Sequence, residues 1–220
     1  MKKIVLLLVM FATFASIADA QIVTSDTRRR VEVAKEPSES MWYARFGLNK
    51  MKCGGDVSDF KDYIKSNLGY QIVWGFEKPL GPLFWGMEFG LGSRGFKLEN
   101  GGYKFKVFAH NAVFSPFNIG YKYHISDDLA VEAHVGAYVS GDYFGKIKED
   151  EGNDSDDWSI YDAEDYTFPD AGMQFGFGVW YSSIGLDLLF QKGFINWTGD
   201  LDADTKLHTS NFMVRLGVKF

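Results

Sequence analysis

Residues 129–140, Leu-Ala-Val-Glu-Ala-His-Val-Gly-Ala-Tyr-Val-Ser, decide the fold. Leu129, Val131, Ala133, Val135, Ala137 and Val139 fall on one parity, and Ala130, Glu132, His134, Gly136, Tyr138 and Ser140 on the other. A strict period of two is the signature of a β-strand with two unlike faces. One face is aliphatic, and the other carries a carboxylate, an imidazole, a phenol and a glycine.

The same alternation recurs on both sides of this stretch. It is read at 41–49 (Trp42, Ala44, Phe46 and Leu48 against Tyr43, Arg45, Gly47 and Asn49), at 68–77, at 83–92, at 171–181, at 184–191 and at 209–220. Another strand is expected at 117–123, where Phe117, Ile119, Tyr121 and Tyr123 oppose Asn118, Gly120 and Lys122. Pro116 interrupts the run before it, and a proline cannot donate to a ladder. Residues 103–115 are therefore expected to extend that strand outside the membrane. The total is eight strands.

A soluble sandwich would bury the apolar set, whereas a membrane barrel turns that set to lipid and closes the polar set around a narrow lumen. The connections favour the barrel. Segments 78–82, 124–128 and 182–183 are short, while 50–67, 92–116, 141–170 and 192–208 are long, as in barrels with short turns at one end and long external loops at the other. The expected fold is all-β, an eight-stranded antiparallel up-and-down transmembrane β-barrel.

The N-terminus agrees. Met1-Lys2-Lys3 precedes an apolar run from Ile4 to Ile17 and the small-x-small site Ala18-Asp19-Ala20, which is the pattern of a cleaved secretory signal. Residues 1–20 read as the signal peptide, 21–40 as a periplasmic tail and 41–220 as the barrel. Twenty Phe, 11 Tyr and 6 Trp suit a strand-rich, lipid-facing chain. Trp42, Trp74, Trp85 and Tyr181 are placed at the membrane interface, where aromatic residues anchor. A formal charge of −6 with no basic cluster argues against nucleic acid. An edge-free barrel has no evident reason to oligomerise, so a monomer is expected.

The last residues make the reading more specific. Phe212, Val214, Leu216 and Val218 lead to a terminal Phe220, a pattern similar to the signal by which outer-membrane barrels are recognised for assembly. Residues 41–220 resemble the small eight-stranded outer-membrane barrels, including OmpX-like, OmpA-like and PorT-like proteins. The resemblance implies outer-membrane lipid and the barrel-assembly machinery as partners, and it implies no catalytic residue.

Arg45, Glu88, Lys122, Glu132, Asp187, Arg215 and Lys219 all fall on the lumen parity. Charges of both signs inside an eight-stranded barrel, whose interior is just wide enough for side chains, should pair and fill it. The leading functional reading is a non-enzymatic barrel that displays external loops to an extracellular ligand, for binding, adhesion or envelope integrity. A narrow channel is one alternative. A second rests on His208-Thr209-Ser210-Asn211, which resembles the His-x-Ser-Asn segment of PagL-type lipid A deacylases; His208 and Ser210 would face lipid, but no acid follows to orient the ring.

No cofactor is expected. Two acidic segments raise calcium as a minor alternative, since calcium prefers carboxylate oxygens. Segment 141–170 holds eleven acidic residues against Lys146 and Lys148. Asp200, Asp202 and Asp204 repeat the first alternating carboxylates of an EF-hand loop, with Thr205 at the glycine position and Asn211 at the closing ligand. Cys53 is placed in the first long loop as an incidental thiol. His134 is assigned to the lumen, His124 to a turn, and His110 to the second loop or its edge.

Overall fold

The structure, a computed structural model, describes residues 40–55, 63–151, 154–162, 169–196 and 207–220. The chain divides into two units, Met1–Val33 and Ala34–Phe220, and every described residue lies in the second. The signal peptide and most of the N-terminal tail thus fall outside the described residues. The strands are β1 (Met41–Gly55), β2 (Ile64–Leu80), β3 (Leu83–Asn100), β4 (Tyr103–His124), β5 (Leu129–Glu151), β6 (Asp154–Ser159), β7 (Pro169–Tyr181), β8 (Ile184–Gly193) and β9 (Leu207–Lys219).

Eight of them close a ring in which each strand pairs antiparallel with its neighbour, in the order β1, β2, β3, β4, β5, β7, β8, β9 and back to β1. Closure through β1 and β9 sets Tyr43 opposite Lys219 and Phe46 opposite Leu216, so the eight-stranded ring itself has no free edge. β6 pairs only with the upper end of β5, above the point where β7 leaves off.

The wall is inside out. Phe46, Trp74, Phe89, Phe117, Phe175, Leu188 and Leu216 are exposed on the outer face, while Arg45, Glu88, Glu132, Asp187 and Arg215 are buried on the inner one. A water-facing protein would have the reverse, because each exposed apolar side chain forfeits transfer free energy of about 1.5–3 kcal/mol. Against hydrocarbon that penalty vanishes. Trp42 packs on Phe76 at 5.1 Å and Phe76 on Trp85 at 6.1 Å, forming an aromatic girdle at the end where the turns are short.

Glycines fit the inner face for a specific reason. Large inward side chains lie across glycines of the adjacent strands: a Cβ on Gly75 would come within 2.1 Å of the Tyr43 ring, one on Gly176 within 2.1 Å of His134, and one on Gly185 within 2.4 Å of Trp180. At these three positions the large inward side chain fits because the facing residue has no side chain.

Three expectations need correction. Three of the segments read as long loops, 50–67, 92–116 and 141–170, are largely strand: β1 runs to Gly55, β3 to Asn100 and β5 to Glu151. The second connection is only Gly101-Gly102, whose φ values of +55° and +108° suit a two-residue hairpin turn that glycine adopts without strain. Pro116 does not end a strand. It sits in a bulge where β4 gains one residue against both neighbours, with Phe114 and Phe117 facing Val139 and Ala137, and Ser115 and Asn118 facing Glu88 and Gly86. A bulge leaves one residue unpaired, which suits an imino acid with no N–H.

Candidate functional site: the filled lumen and the rim above it

The inward residues form layers along the barrel axis. At the short-turn end, Tyr43, Ala130 and Trp180 form a small apolar cluster. The Lys219 ammonium lies 4.0 Å from the Trp180 ring centroid and Lys122 lies 4.8 Å from that of Phe84. Lys219, placed in the lumen by parity, thus meets an aromatic face and makes no ion pair among the described residues.

One layer up lies the ionic network. Arg45 forks between Glu88 at 2.5 Å and Glu132 at 2.8 Å. Arg215 forks between Asp187 at 2.7 Å and Glu88 at 3.1 Å. Lys122 reaches Glu132 at 3.0 Å and also binds Glu77. The Tyr43 hydroxyl donates to Glu88 at 3.0 Å, and His134 Nε2 lies 3.2 Å from Asp187 Oδ1. Six of the seven charges read from the sequence therefore meet here, joined by Glu77, Tyr43 and His134. Strand parity gave each residue's face; Lys122–Glu132 and Asp187–Arg215 stand opposite one another on neighbouring strands, whereas the Arg45–Glu88, Arg45–Glu132 and Arg215–Glu88 contacts join strands that are not neighbours in the ring and have no local signal.

Ligating atoms of Glu132, His134 and Asp187 lie within 4.8 Å of one another, close enough for a metal ion. Arg45 and Lys122 already neutralise Glu132, and Arg215 neutralises Asp187. A divalent cation entering there would meet three fixed cations in a low-dielectric site, which opposes binding.

Amides fill the next layer. Gln191 donates to Gln174 at 2.9 Å and Gln174 to Asn118 at 2.7 Å, with Ser115 at 3.3 Å. A cavity bounded by Gln71, Glu88, Gln174, Gln191 and Arg215 encloses about 10 Å³, room for about one water.

Above the amides is a second ionic cluster that lay in presumed loops and was not anticipated. Arg94 holds Asp142 through Nε at 2.8 Å and Nη2 at 2.9 Å, and reaches Asp170 at 3.2 Å. Thr209 and Tyr138 both donate to Asp170, at 2.6 and 3.2 Å. Two carboxylates of segment 141–170 are thus committed to the lumen, and a third, Asp157, pairs with Lys146 at 2.7 Å. The salt bridge holds the Asp157 carboxyl below the usual range, chiefly through that Lys146 hydrogen bond.

Higher still the polarity inverts. Met51, Cys53, Phe96, Val107, Ala109, Ile147 and Ile160 pack into an apolar core inside the rim, while Lys50, Lys52 and Lys104 face out. In β1 and β3 the inward parity is unchanged, whereas register shifts in β2, β4 and β5 change which parity faces in; outside, water has replaced lipid, so the apolar side now belongs within. Cys53 is accordingly a buried strand residue and not a loop thiol. Burial pushes its thiol up to about 12. We expect no alkylation of Cys53 by iodoacetamide at pH 8 in the folded barrel and rapid alkylation after unfolding; equal rates in the two states would contradict its burial.

His208 and Ser210 lie on the outer parity of β9, as expected from the sequence, but they do not form a dyad. Ser210 Oγ accepts from Lys192 Nζ at 3.1 Å, and His208 Nδ1 has no hydrogen bond among the described residues. Asp200, Asp202 and Asp204 lie outside the described residues. His110 stands on the outer face of β4 and not in a loop.

The sequence matches no protein-family model and no curated protein. Similar solved structures include neisserial surface protein A (14% identity, 83% of this chain and 99% of that one, TM-score 0.42). Ail, the attachment invasion locus protein of Yersinia pestis, solved with the heparin analogue sucrose octasulfate, gives 14% identity over 83% and 99%, with a TM-score of 0.41. The N-terminal barrel domain of Pseudomonas aeruginosa OprF gives 7% identity over 80% and 97%, with a TM-score of 0.33. By its own closed ring, apolar exterior and charged interior, this chain is an eight-stranded antiparallel transmembrane β-barrel.

Proposed function

We propose that the protein resides in the outer membrane as a closed, non-enzymatic scaffold that carries a β-structured rim outside the cell for binding, adhesion or envelope integrity. Export uses the N-terminal signal with cleavage after Ala20, and the assembly machinery reads Phe212, Val214, Leu216, Val218 and Phe220. The exposed alternation of Phe212, Val214, Leu216 and Val218 on β9 supports that reading.

The observation that carries the proposal is the filling of the barrel. Two buried ionic layers, an amide layer between them and an apolar core in the rim succeed one another along the axis. Ions would have to break charge-assisted bonds in a low-dielectric interior to pass, at a cost of several kcal/mol. The walls nevertheless continue far beyond what a bilayer needs. β4 and β5 span 22 and 23 residues, against about 9–11 for a tilted crossing. Extra wall that adds no conduit supports a role at the surface.

Planar-bilayer recording of the refolded full chain tests this. We expect no unit conductance at any holding potential. Stable, voltage-independent steps in the purified protein would favour the narrow channel instead.

A further inference from the structure

The outer surface of the rim carries an arrangement that neither the filled lumen nor the fold requires. In the sheet register Lys65 stands opposite Lys97, Lys97 opposite Lys106, and Lys106 opposite Lys148. Four lysines thus form one row across β2, β3, β4 and β5, and with strands spaced about 4.7–4.9 Å apart the row is about 14 Å long. Like charges directly opposite one another destabilise a sheet. The next row outward shows the ordinary solution, with Lys104 between Glu99 and Asp150. In the all-lysine row only partial relief exists. Lys65 bonds Glu99, and Asp157 lies opposite Lys148 while pairing with Lys146. Lys97, Lys106 and Lys148 make no ion pair among the described residues.

Directly beneath the row, towards the apolar band, is a groove of about 250 Å³ lined by Lys106, Phe108, His110, Phe144, Lys146 and Lys148. Its floor is aromatic. The His110 ring stacks on Phe144 at 5.8 Å, meets Phe108 edge-on at 5.2 Å, and is held by the Tyr70 hydroxyl 3.2 Å from Nδ1. Below the floor come the lipid-facing Ala112, Phe114 and Val139.

We propose that this face docks a phosphorylated glycolipid of the outer leaflet, with phosphate groups on the Lys97, Lys106 and Lys148 ammoniums, sugar against the aromatic floor, and acyl chains along the band below. The proposal rests on the outer-membrane placement argued above. The vertical order of surface chemistry, apolar then aromatic then cationic, matches the order of such a lipid's parts. A soluble polyanion would use the lysines but have no call on the aromatic floor or the apolar strip beneath it.

The test uses the full chain refolded into phosphatidylcholine vesicles, with or without diphosphoryl lipid A, and reads the urea midpoint. The wild-type midpoint is expected to rise with diphosphoryl lipid A and not with a fully dephosphorylated preparation. Each lysine removed should lower the lipid's apparent affinity roughly fivefold, the effect of one basic residue near a charged membrane surface. K106Q/K148Q should therefore lose most of the rise, and K192Q, on β8 across the barrel from the row, should keep it. In phosphatidylcholine alone K106Q should be slightly more stable than wild type, because repulsion is relieved.

Equal lipid responses of wild type and K106Q/K148Q would overturn the proposal. So would an equal rise with inorganic phosphate or heparin in vesicles lacking the lipid, which would identify a free anion or a soluble polyanion as the preferred occupant. Heat-modifiable gel migration of every variant reports an intact barrel. Its loss in the wild type would refute the membrane placement itself, a failure distinct from that of the docking surface.

Discussion

Replacing Arg215 with alanine is expected to destabilise the folded barrel by about 3–5 kcal/mol, the range for breaking a buried ion pair from one side. Arg215 is 1% exposed and spans Asp187 and Glu88, so its removal strips the buried Asp187 carboxylate of its guanidinium partner. Glu88 keeps Arg45. R215K should fall between wild type and R215A, since one ammonium cannot reproduce a fork that reaches two carboxylates. Urea unfolding in vesicles, followed by tryptophan fluorescence, measures both. A loss below about 1 kcal/mol for R215A would put Arg215 in a hydrated environment, where single pairs contribute little. A double-mutant cycle with D187A should show coupling, because contacting charges do not act additively.

The second large effect concerns packing. Gly185→Val is expected to cost about 3 kcal/mol, the upper part of the usual range for overpacking. The new Cβ would stand 2.4 Å from Trp180 Cε3 and 2.6 Å from Cδ2. Trp180 is 2% exposed and is flanked by Tyr43, Arg45 and Lys219, so the rigid indole has little freedom to retreat within a closed wall. G141A is the control, since nothing lies within 4 Å of a Cβ built there. Adding W180A to G185V should recover part of the loss by removing the colliding ring. If G185V unfolds at the wild-type urea midpoint, Trp180 does not occupy the lumen as described.

These two substitutions mark what strand alternation can and cannot reveal. The face of each residue was legible wherever lipid lay on one side of the strand and lumen on the other, because the chemistry then repeats every second residue. Leu129–Ser140 is the clearest case. The partners that join distant strands were not legible, because Arg45 meets Glu132 across 87 residues and Arg215 meets Glu88 across 127. No local spacing encodes such contacts.

The upper rim was misread for a physical reason. From Met51 in β1 and Phe96 in β3 the apolar residues move to the inward parity, and in β4 and β5 bulges turn the apolar parity inward by Val107 and Ile147, so a pattern of apolar residues facing out stops at the bilayer surface. The strands in fact continue with their polarity exchanged. Arg94, Asp142 and Asp170 were overlooked because they lay in those supposed loops. One local signal was available: Gly101-Gly102 separates Phe96 and Leu98 from Phe105 and Val107, the pattern of a two-residue hairpin. The Pro116 bulge was harder, since proline marks an interrupted ladder but does not tell a bulge from a strand end.

Inside-out packing is tested most directly by fluorescence quenching in vesicles of acyl-brominated phosphatidylcholine, using two single-tryptophan variants that retain Trp74 or Trp180. Trp74 is 48% exposed on the outer face, whereas Trp180 is 2% exposed within the barrel. Strong quenching of Trp74 with little quenching of Trp180 is the expected result. Quenching of neither, with the protein recovered in the aqueous phase, would contradict a transmembrane barrel.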